Sequence, residues 1–416
     1  MIIRSNETTW VSLYLLSDSE VHSHVPSLFL QDSWRASDRL RINAGLRWDG
    51  FYARGPSGQN LLDIKRQYQP RLGFTYMIDE SSRSKVFGSV GRFYEQMTNF
   101  NFGLVNKTQY ASIYNADPRS GGDPLVQIDW STDYEMHVTD ELKGQHADEV
   151  VFGYETRLAQ QWVLGIKGIY RELRAAVEGV WYPEGTQDEA IGNPGLGNLG
   201  YFPEPSRQYR GLQLEIANIE KTNRYHLAAS YCLSRTHGNY PGTFDTDTGI
   251  PNPHGGSTYD SPALLENATG LLPNDRPHVL KLYGAYAFAS GFSAGGFFTW
   301  QSGTPLSEFG ATSLGWPYNI HLVNRGTYGR SPAIWDLNMR FAYVLPATPL
   351  AGGSSRTRLL LDIFHLFGQR TGVAFDQQHY LAVDDSGNQV TENPNFGKAT
   401  RYQPPMSMRF GIETSF

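Results

Sequence analysis

The feature that most constrains the fold of this chain is a two-residue alternation of apolar and polar side chains. In residues 38–49 (DRLRINAGLRWD) every even-numbered residue from Leu40 to Trp48 is apolar, and the odd-numbered residues are polar or glycine. Successive side chains of a strand point to opposite faces, whereas a helix would spread this pattern around its whole circumference. The alternation therefore predicts strands, and it recurs in residues 71–78, 161–167, 212–216, 225–233 and 335–343.

The last thirteen residues, 404–416, read PPMSMRFGIETSF and carry the same signal. Met406, Met408, Phe410, Ile412 and Phe416 share one parity, and mostly polar residues occupy the other. The segment predicts a final strand with one apolar and one polar face, which ends on an aromatic residue. An ordinary half-buried edge strand is the alternative interpretation of this segment alone.

Composition narrows the class of protein. Glycine (43 residues) and aromatic residues (13%) are abundant and only 18% of residues are charged, as in barrels with tight turns and aromatic girdles. No apolar run reaches the roughly 18 residues of a membrane helix. A net charge of -6 without long runs of one sign argues against nucleic-acid binding, and a single cysteine excludes an internal disulfide framework.

Short and long joins alternate along the chain. The predicted short joins lie near residues 37–38, 79–84, 159–161, 220–223, 289–291 and 346–355. The long ones are 50–67, 97–145, 175–207, 238–274, 303–332 and 368–403. This alternation is typical of an antiparallel transmembrane β-barrel with short periplasmic turns and long extracellular loops. Counted from residues 8–17, it predicts about 14 strands in one domain over residues 1–416, with residues 1–25 as the first strand and loop.

Several segments resemble the β-barrel of TonB-dependent outer-membrane receptors, and most closely the Oar-like group. The resemblance rests on FLQDSWRASDRLRINAGLRWDG (residues 29–50), FFTWQSGTPL (297–306), RLLLDIFHLFGQR (358–370) and the terminal MRFGIETSF. It implies a barrel of 22 strands with an N-terminal plug. The chain then corresponds to the C-terminal portion, without about eight strands, the plug, the TonB-contacting segment and the signal peptide.

The resemblance also implies a function and partners. The intact protein is expected in the cell outer membrane, where its extracellular loops bind a nutrient that is imported with energy relayed by TonB through the missing plug. Expected partners are membrane lipid and lipopolysaccharide, the outer-membrane assembly machinery, TonB and an unknown nutrient ligand, without nucleic acid or cofactor. A passive porin of about 14 strands and a surface adhesin or scaffold are the alternatives. No catalytic motif is present, so an enzyme is not expected.

Two sets of residues are the candidate functional residues. The terminal strand supplies the assembly signal, with Phe410, Ile412 and Phe416. Charged residues on the polar parity of the strands are predicted to face the lumen, and they include Arg39, Arg41, Arg47, Arg71, Arg340, Arg358 and Asp362.

Two metal hypotheses are weak. His22 and His24 share one face of a strand, but two ligands do not make a site, so surface histidines are the simpler interpretation. Asp245, Asp247 and Gly249 resemble the start of a calcium loop, but no bidentate acid follows them. No metal site is therefore predicted.

Overall fold

The computed structural model describes most of the chain. The described residues are 2–4, 10–17, 21–55, 58, 60–98, 107–114, 126–131, 137–139, 142–159, 161–185, 189–218, 224–247, 253–314, 318–346, 348–350 and 353–415.

Thirteen long strands form the main sheet, which we call the wall. They are β1 (Ser27–Arg35), β2 (Leu40–Arg54), β3 (Asn60–Met77), β4 (Ser84–Tyr94), β5 (His146–Leu158), β6 (Trp162–Ala175), β7 (Arg207–Asn218), β8 (Tyr225–Gly238), β9 (His278–Ala287), β10 (Phe292–Gln301), β11 (Ile334–Val344), β12 (Gly353–Phe364) and β13 (Ser407–Ser415).

Each wall strand pairs antiparallel with the next one along the chain, from β1 to β13. Three short strands extend this sheet to sixteen: His22–His24, Gly270–Leu271 and Thr348–Leu350. The joins at one end are short, and those at the other end include the segments 95–145, 176–206, 239–277, 302–333 and 365–406. We call these the short-turn end and the long-loop end.

The two faces of the wall differ in chemistry. One face, here called the outer face, carries exposed apolar side chains such as Leu30, Phe152 and Phe410, which are 79%, 58% and 77% exposed. The other face carries charged and small polar residues, and it is called the polar face. Contiguous exposed apolar surface of this extent is typical of a surface that meets lipid.

The buried core lies at the long-loop end. One cluster joins residues of the long loops, among them Val180, Leu199, Tyr240 and Tyr259. A second cluster joins Phe51, Ala53, Leu62 and Ile64 to loop residues. The described parts of these loops therefore contribute packed elements to the fold.

Smaller elements lie outside the thirteen wall strands. One sheet contains the strands Ile2–Arg4, Trp10–Ser17, Lys107–Tyr114 and Val126–Ser131. A second sheet contains Glu178–Trp181, Glu189–Gly192 and His137–Val138. Three two-stranded sheets pair Pro305–Leu306 with Gly329–Arg330, Phe309–Gly310 with Ile320–His321, and Gly372–Phe375 with Ala399–Tyr402. Short 3-10 helices span Gly197–Leu199, Ser257–Tyr259 and Pro262–Leu265. Within the described ranges, no helix has the length and apolarity needed to cross a bilayer.

The structure corrects two expectations. The predicted loop 50–67 is a hairpin, because β2 continues to Arg54 and β3 starts at Asn60. A register shift between Asp49 and Phe51 changes the parity of the pairing, which interrupts the alternation that a regular strand would show. The predicted first wall strand, residues 8–17, forms Trp10–Ser17 instead and pairs with Lys107–Tyr114 outside the wall.

Candidate functional site

A large cavity lies against the polar face of the wall near its long-loop end. Its volume is about 1320 Å³, and it is lined by β4 to β9 and by the loop segment 240–246. The strand residues that line it on β5 are Ala147, Glu149 and Val151, which share the polar parity of that strand. Cavities of this kind, with convergent polar groups, are typical ligand sites.

Cationic side chains outnumber acidic ones in the cavity. The lining residues include four cations (Arg171, Arg207, Arg276 and Lys281) and two carboxylates (Glu95 and Glu149), which gives 4 − 2 = +2. The chain as a whole carries -6. The cavity is therefore a local region of opposite sign, which concentrates anions.

The cations differ in their partners. The Arg171 guanidinium binds the Glu149 carboxylate, with Nε at 2.9 Å from Oε2. Arg207 donates to the carbonyl oxygens of the loop at residues 240 and 241, and Arg276 donates to the carbonyl of Ser302 at 2.5 Å. Among the described residues, no carboxylate forms an ion pair with Arg207, Arg276 or Lys281. No described carboxylate therefore neutralises these three positive charges by direct pairing.

The loop above the cavity is held by side-chain hydrogen bonds, one of which is buried. The Tyr240 hydroxyl donates to Oε1 of Gln145 at 2.9 Å, and Nε2 of Gln145 donates to Glu95 at 2.6 Å. The Thr243 hydroxyl also donates to Glu95. Tyr240 is 1% exposed and belongs to the loop core as well as to the cavity lining. The position of this loop therefore depends on the packing of the whole long-loop region.

Buried acids lie deeper in the loop core. Burial raises the pKa of the Glu178 carboxyl well above its usual range, and the Tyr240 hydroxyl opposes this only in part. Burial likewise raises the pKa of Asp247 from 3.8 to about 6, although the Arg325 guanidinium lies 2.8 Å away. The Arg325 charge lowers the pKa of Asp247, but the desolvation of the buried carboxyl is the larger effect, so the pKa rises in spite of the ion pair.

The structure places the predicted lumen-facing charges at several levels of the wall. Arg340 and Arg409 both bind the Asp362 carboxylate, with distances of 2.5 and 2.7 Å across β11, β12 and β13. Arg358 on β12 pairs with Glu413 at 3.4 Å. These residues lie on the polar face, and their cross-strand pairs bring together positions that the sequence separates by up to 55 residues.

The other predicted charges lie nearer the first strands. Arg47 binds Asp49 two residues away on the same face, at 2.9 Å. The Arg71 guanidinium lies 4.7 Å from the centre of the Phe93 ring. Arg41 lies on the same parity as Arg47 in β2. Arg39 lies in the turn before β2 and pairs with exposed Glu80 of the next turn.

The terminal strand presents its predicted signal residues outward. Phe410 and Ile412 are 77% and 76% exposed on the outer face of β13. Phe416 lies outside the described residues. The apolar side chains of this strand therefore have little packing within the chain itself, and their role in assembly stays a prediction.

Neither metal hypothesis gains support. His22 and His24 lie in a short strand that pairs with β2. Asp245 accepts a hydrogen bond from the Thr258 hydroxyl, Asp247 pairs with Arg325, and Gly249 lies outside the described residues. Among the described side chains, no group of three or more His, Cys, Asp or Glu residues is arranged to hold a metal ion.

Sequence reasoning missed the cations of the cavity. Arg171 and Lys281 lie on the polar face of β6 and β9, but the alternating segments found in the sequence stop at residue 167 in β6 and do not include β9. Their convergence depends on the register across six strands and on the loop that covers them. Neither the sheet register nor the position of the covering loop can be recognised from the local sequence.

No protein-family model matches the chain. The chain is 29% identical, over 460 residues, to the TonB-dependent transporter Oar of Myxococcus xanthus. The match covers 93% of this chain and 42% of the transporter, so the chain spans less than half the length of that relative.

Solved structures resemble the wall. The ferripyoverdine receptor of Pseudomonas aeruginosa matches with a TM-score of 0.54 and 10% identity, over 94% of this chain and 38% of the receptor. The siderophore receptor PiuA of Acinetobacter baumannii matches with a TM-score of 0.54 and 12% identity, over 96% of this chain and 44% of the receptor. The ferric-catecholate import receptor Fiu of E. coli matches with a TM-score of 0.52 and 11% identity, over 95% and 45%.

These likenesses establish the fold. The wall has the fold of the outer-membrane β-barrel of TonB-dependent receptors, as the sequence resemblance implied. The relatives are transporters and receptors rather than enzymes, in agreement with the expectation for this chain.

Proposed function

We propose that this chain, a relative of TonB-dependent transporters, forms part of the wall of an outer-membrane receptor that binds a ligand at its long-loop end. The proposal rests on the arrangement of the wall, which is the reverse of that expected in a water-soluble protein. Its apolar face is exposed, its polar face bears the ion pairs, and its buried core lies in the loops. Such a wall suits a barrel with lipid outside and water within.

The whole protein is proposed to import a nutrient with energy from TonB. Among the described residues, β1 pairs with β2 and β13 with β12, and no strand covers the opposite edge of either. Unpaired backbone groups are costly in lipid, so further strands are proposed to complete the barrel. A passive pore would require β1 to pair with β13, and we therefore do not propose it.

The ligand is proposed to be a small anion that enters the cavity from outside the cell. The net charge of +2 in the cavity and the three cations without a carboxylate partner support this. A carboxylate or phosphate would accept hydrogen bonds from the guanidinium groups of Arg207 and Arg276. Specificity within that class is proposed to reside in the covering loop.

The charged residues and the terminal strand have proposed roles as well. Arg39, Arg41, Arg47, Arg71, Arg340, Arg358 and Asp362 are proposed to line the lumen, where they would contact water or a plug. Phe410, Ile412 and Phe416 are proposed to be read by the outer-membrane assembly machinery.

The membrane orientation can be tested by cysteine labelling in whole cells. In a Cys232→Ser background, Ser386→Cys places a thiol in the last long loop, and Glu80→Cys places one in a short turn. Both positions are exposed, and the loss of the surface pair between Glu80 and Arg39 should cost little. A membrane-impermeant maleimide should label Ser386→Cys in intact cells and Glu80→Cys only after lysis. Equal labelling of both in intact cells would refute the orientation.

A further inference from the structure

The last long loop, residues 365–406, is joined to the wall by a buried histidine. His365 follows β12 directly and is 3% exposed. Its Nδ1 lies 2.8 Å from Oδ1 of Asp336 on β11, and its Nε2 lies 2.7 Å from the carbonyl oxygen of Gln369 in the loop. One imidazole ring therefore bridges the wall and the beginning of the loop.

Both groups that face the ring are hydrogen-bond acceptors. A neutral imidazole carries one N–H and can donate to only one of them, whereas the imidazolium carries two. The second oxygen of Asp336 accepts a hydrogen bond from the Asn338 amide at 3.0 Å, which favours the ionised carboxylate. Both hydrogen bonds of the His365 ring are therefore formed only when the ring is protonated.

The backbone at His365 is held in an unfavourable conformation. Its φ angle is +54°, in the left-handed region that residues other than glycine seldom adopt. The His365 amide donates to Oδ1 of Asn338 at 2.9 Å, and the Gln369 side chain donates to the Trp335 carbonyl at 2.6 Å. Gln403, on the returning side of the loop, donates to the same carbonyl at 2.9 Å. The ring thus adds its hydrogen bonds to others that close the base of the loop.

Asp336 is the charged group that contacts the ring. Other charged side chains on the neighbouring elements contact partners of their own or lie two strands away. They are Asp362 on β12 with its partners Arg340 and Arg409, Arg370 against the Tyr402 ring, and Lys281 on β9. The Gln369 carbonyl and the Asp336 carboxylate raise the pKa of the His365 ring above its usual 6.5, in spite of burial. The ring is charged below that pKa and neutral above it.

We propose that His365 is a pH-sensitive latch that holds the base of the last long loop against the wall. In the protonated state the ring donates to both Asp336 and Gln369. Loss of the proton removes one of these hydrogen bonds, so the base of the loop opens more often. The closed latch binds the proton more tightly than the open one, and acid therefore favours closure while alkali favours opening. The latch acts on the loop itself and does not depend on a ligand in the cavity.

Hydrogen exchange measured by mass spectrometry tests the latch in the whole protein. The protection of amides in residues 366–371, corrected for the intrinsic pH dependence of exchange, should fall about tenfold between about pH 6 and pH 9, because a hydrogen bond to a charged group is lost. His365→Asn, whose side chain tolerates the left-handed conformation, should show low protection at both pH values. Asp336→Asn keeps an acceptor oxygen but removes the charge, so it should move the loss of protection to lower pH.

The matched control is His226→Asn, which removes an exposed histidine from β8 at the short-turn end. It should keep the pH dependence of the unmodified protein. If His365→Asn keeps that dependence as well, the latch is overturned. Titration of the His365 ring followed by NMR in the unmodified protein is an independent measurement. A midpoint at or below 6.5 would overturn the latch even where the variants fail to fold.

Discussion

Removal of the Lys281 charge should change the relative rates at which anionic and cationic reagents modify Cys232, the single cysteine of the chain. Both side chains line the cavity. Lys281 pairs with Ser230, which lies two residues before Cys232 on the same face of β8. Two residues along a strand span about 7 Å, so the ammonium group should lie roughly 8 Å from the thiol.

The size of the effect follows from Coulomb's law. A unit charge about 8 Å away contributes about 0.5 kcal/mol in a water-like dielectric. An anionic and a cationic thiol reagent of similar size are affected in opposite directions, so their rate ratio changes by about 1 kcal/mol before salt screening. Lys281→Gln should therefore lower the anion-to-cation ratio roughly fourfold in 0.01 M salt and roughly twofold in 0.1 M salt.

The assay compares the rates at which sulfonatoethyl and trimethylammonioethyl methanethiosulfonate modify Cys232 in outer-membrane preparations. Arg370→Gln, which removes a positive charge outside the cavity, is the matched control and should leave the ratio unchanged. A ratio that is the same in Lys281→Gln and the unmodified protein would refute the electrostatic reasoning. Complete protection of Cys232 from both reagents would contradict a cavity that is open to solvent.

Three further predictions concern the loop core and the terminal strand. Arg325→Met should destabilise the packed loops by about 3–5 kcal/mol because it leaves Asp247 buried without its partner, whereas Asp247→Leu/Arg325→Met should recover much of the loss; limited proteolysis would measure both. Burial holds the folded pKa of His321 at about 3, below its usual 6.5, so the stabilisation from neutral His321 is lost as the pH falls from 7.5 to 5, whereas the raised pKa values of Asp247 and Glu178 act in the opposite direction. His321→Leu should therefore make that proteolysis less sensitive to acid than it is in the unmodified protein, and equal acid sensitivity of the two proteins would contradict this account. Phe410→Ser/Ile412→Ser should lower the amount of protein in the outer membrane, measured by fractionation, and an unchanged amount would remove the assembly role.

The wall was predictable because its physical requirement repeats every second residue. A strand between lipid and water must alternate, and segments such as 38–49 record that requirement directly. The hairpin above Asp49 was missed because the register shift interrupts the alternation just where both strands continue. The strand at Trp10–Ser17 was assigned to the wall because sequence alone does not identify the edge with which a strand pairs.

The loop core was not predictable because its contacts join distant residues without a period. Asp247 and Arg325 are 78 positions apart, and each resembles an ordinary loop charge in the sequence. The candidate cavity could not be predicted either, because its lining also joins residues that are distant in the sequence. Arg207 stands at the start of β7 and Arg276 just before β9, but only the sheet register and the covering loop bring them together.

Tyr240 connects the stability of the loops to the shape of the cavity. Its ring packs in the loop core, and its hydroxyl donates a hydrogen bond to Gln145. The Gln145 amide in turn donates a hydrogen bond to Glu95, which lines the cavity. Arg171 and Lys281 belong to the wall strands β6 and β9, whose positions are fixed by the backbone ladder. A ligand that bridges both sides would thus bind one rigid surface and one surface whose position depends on buried side chains. Changes deep in the loop core, away from any ligand, should therefore alter affinity without changing a single group that the ligand contacts.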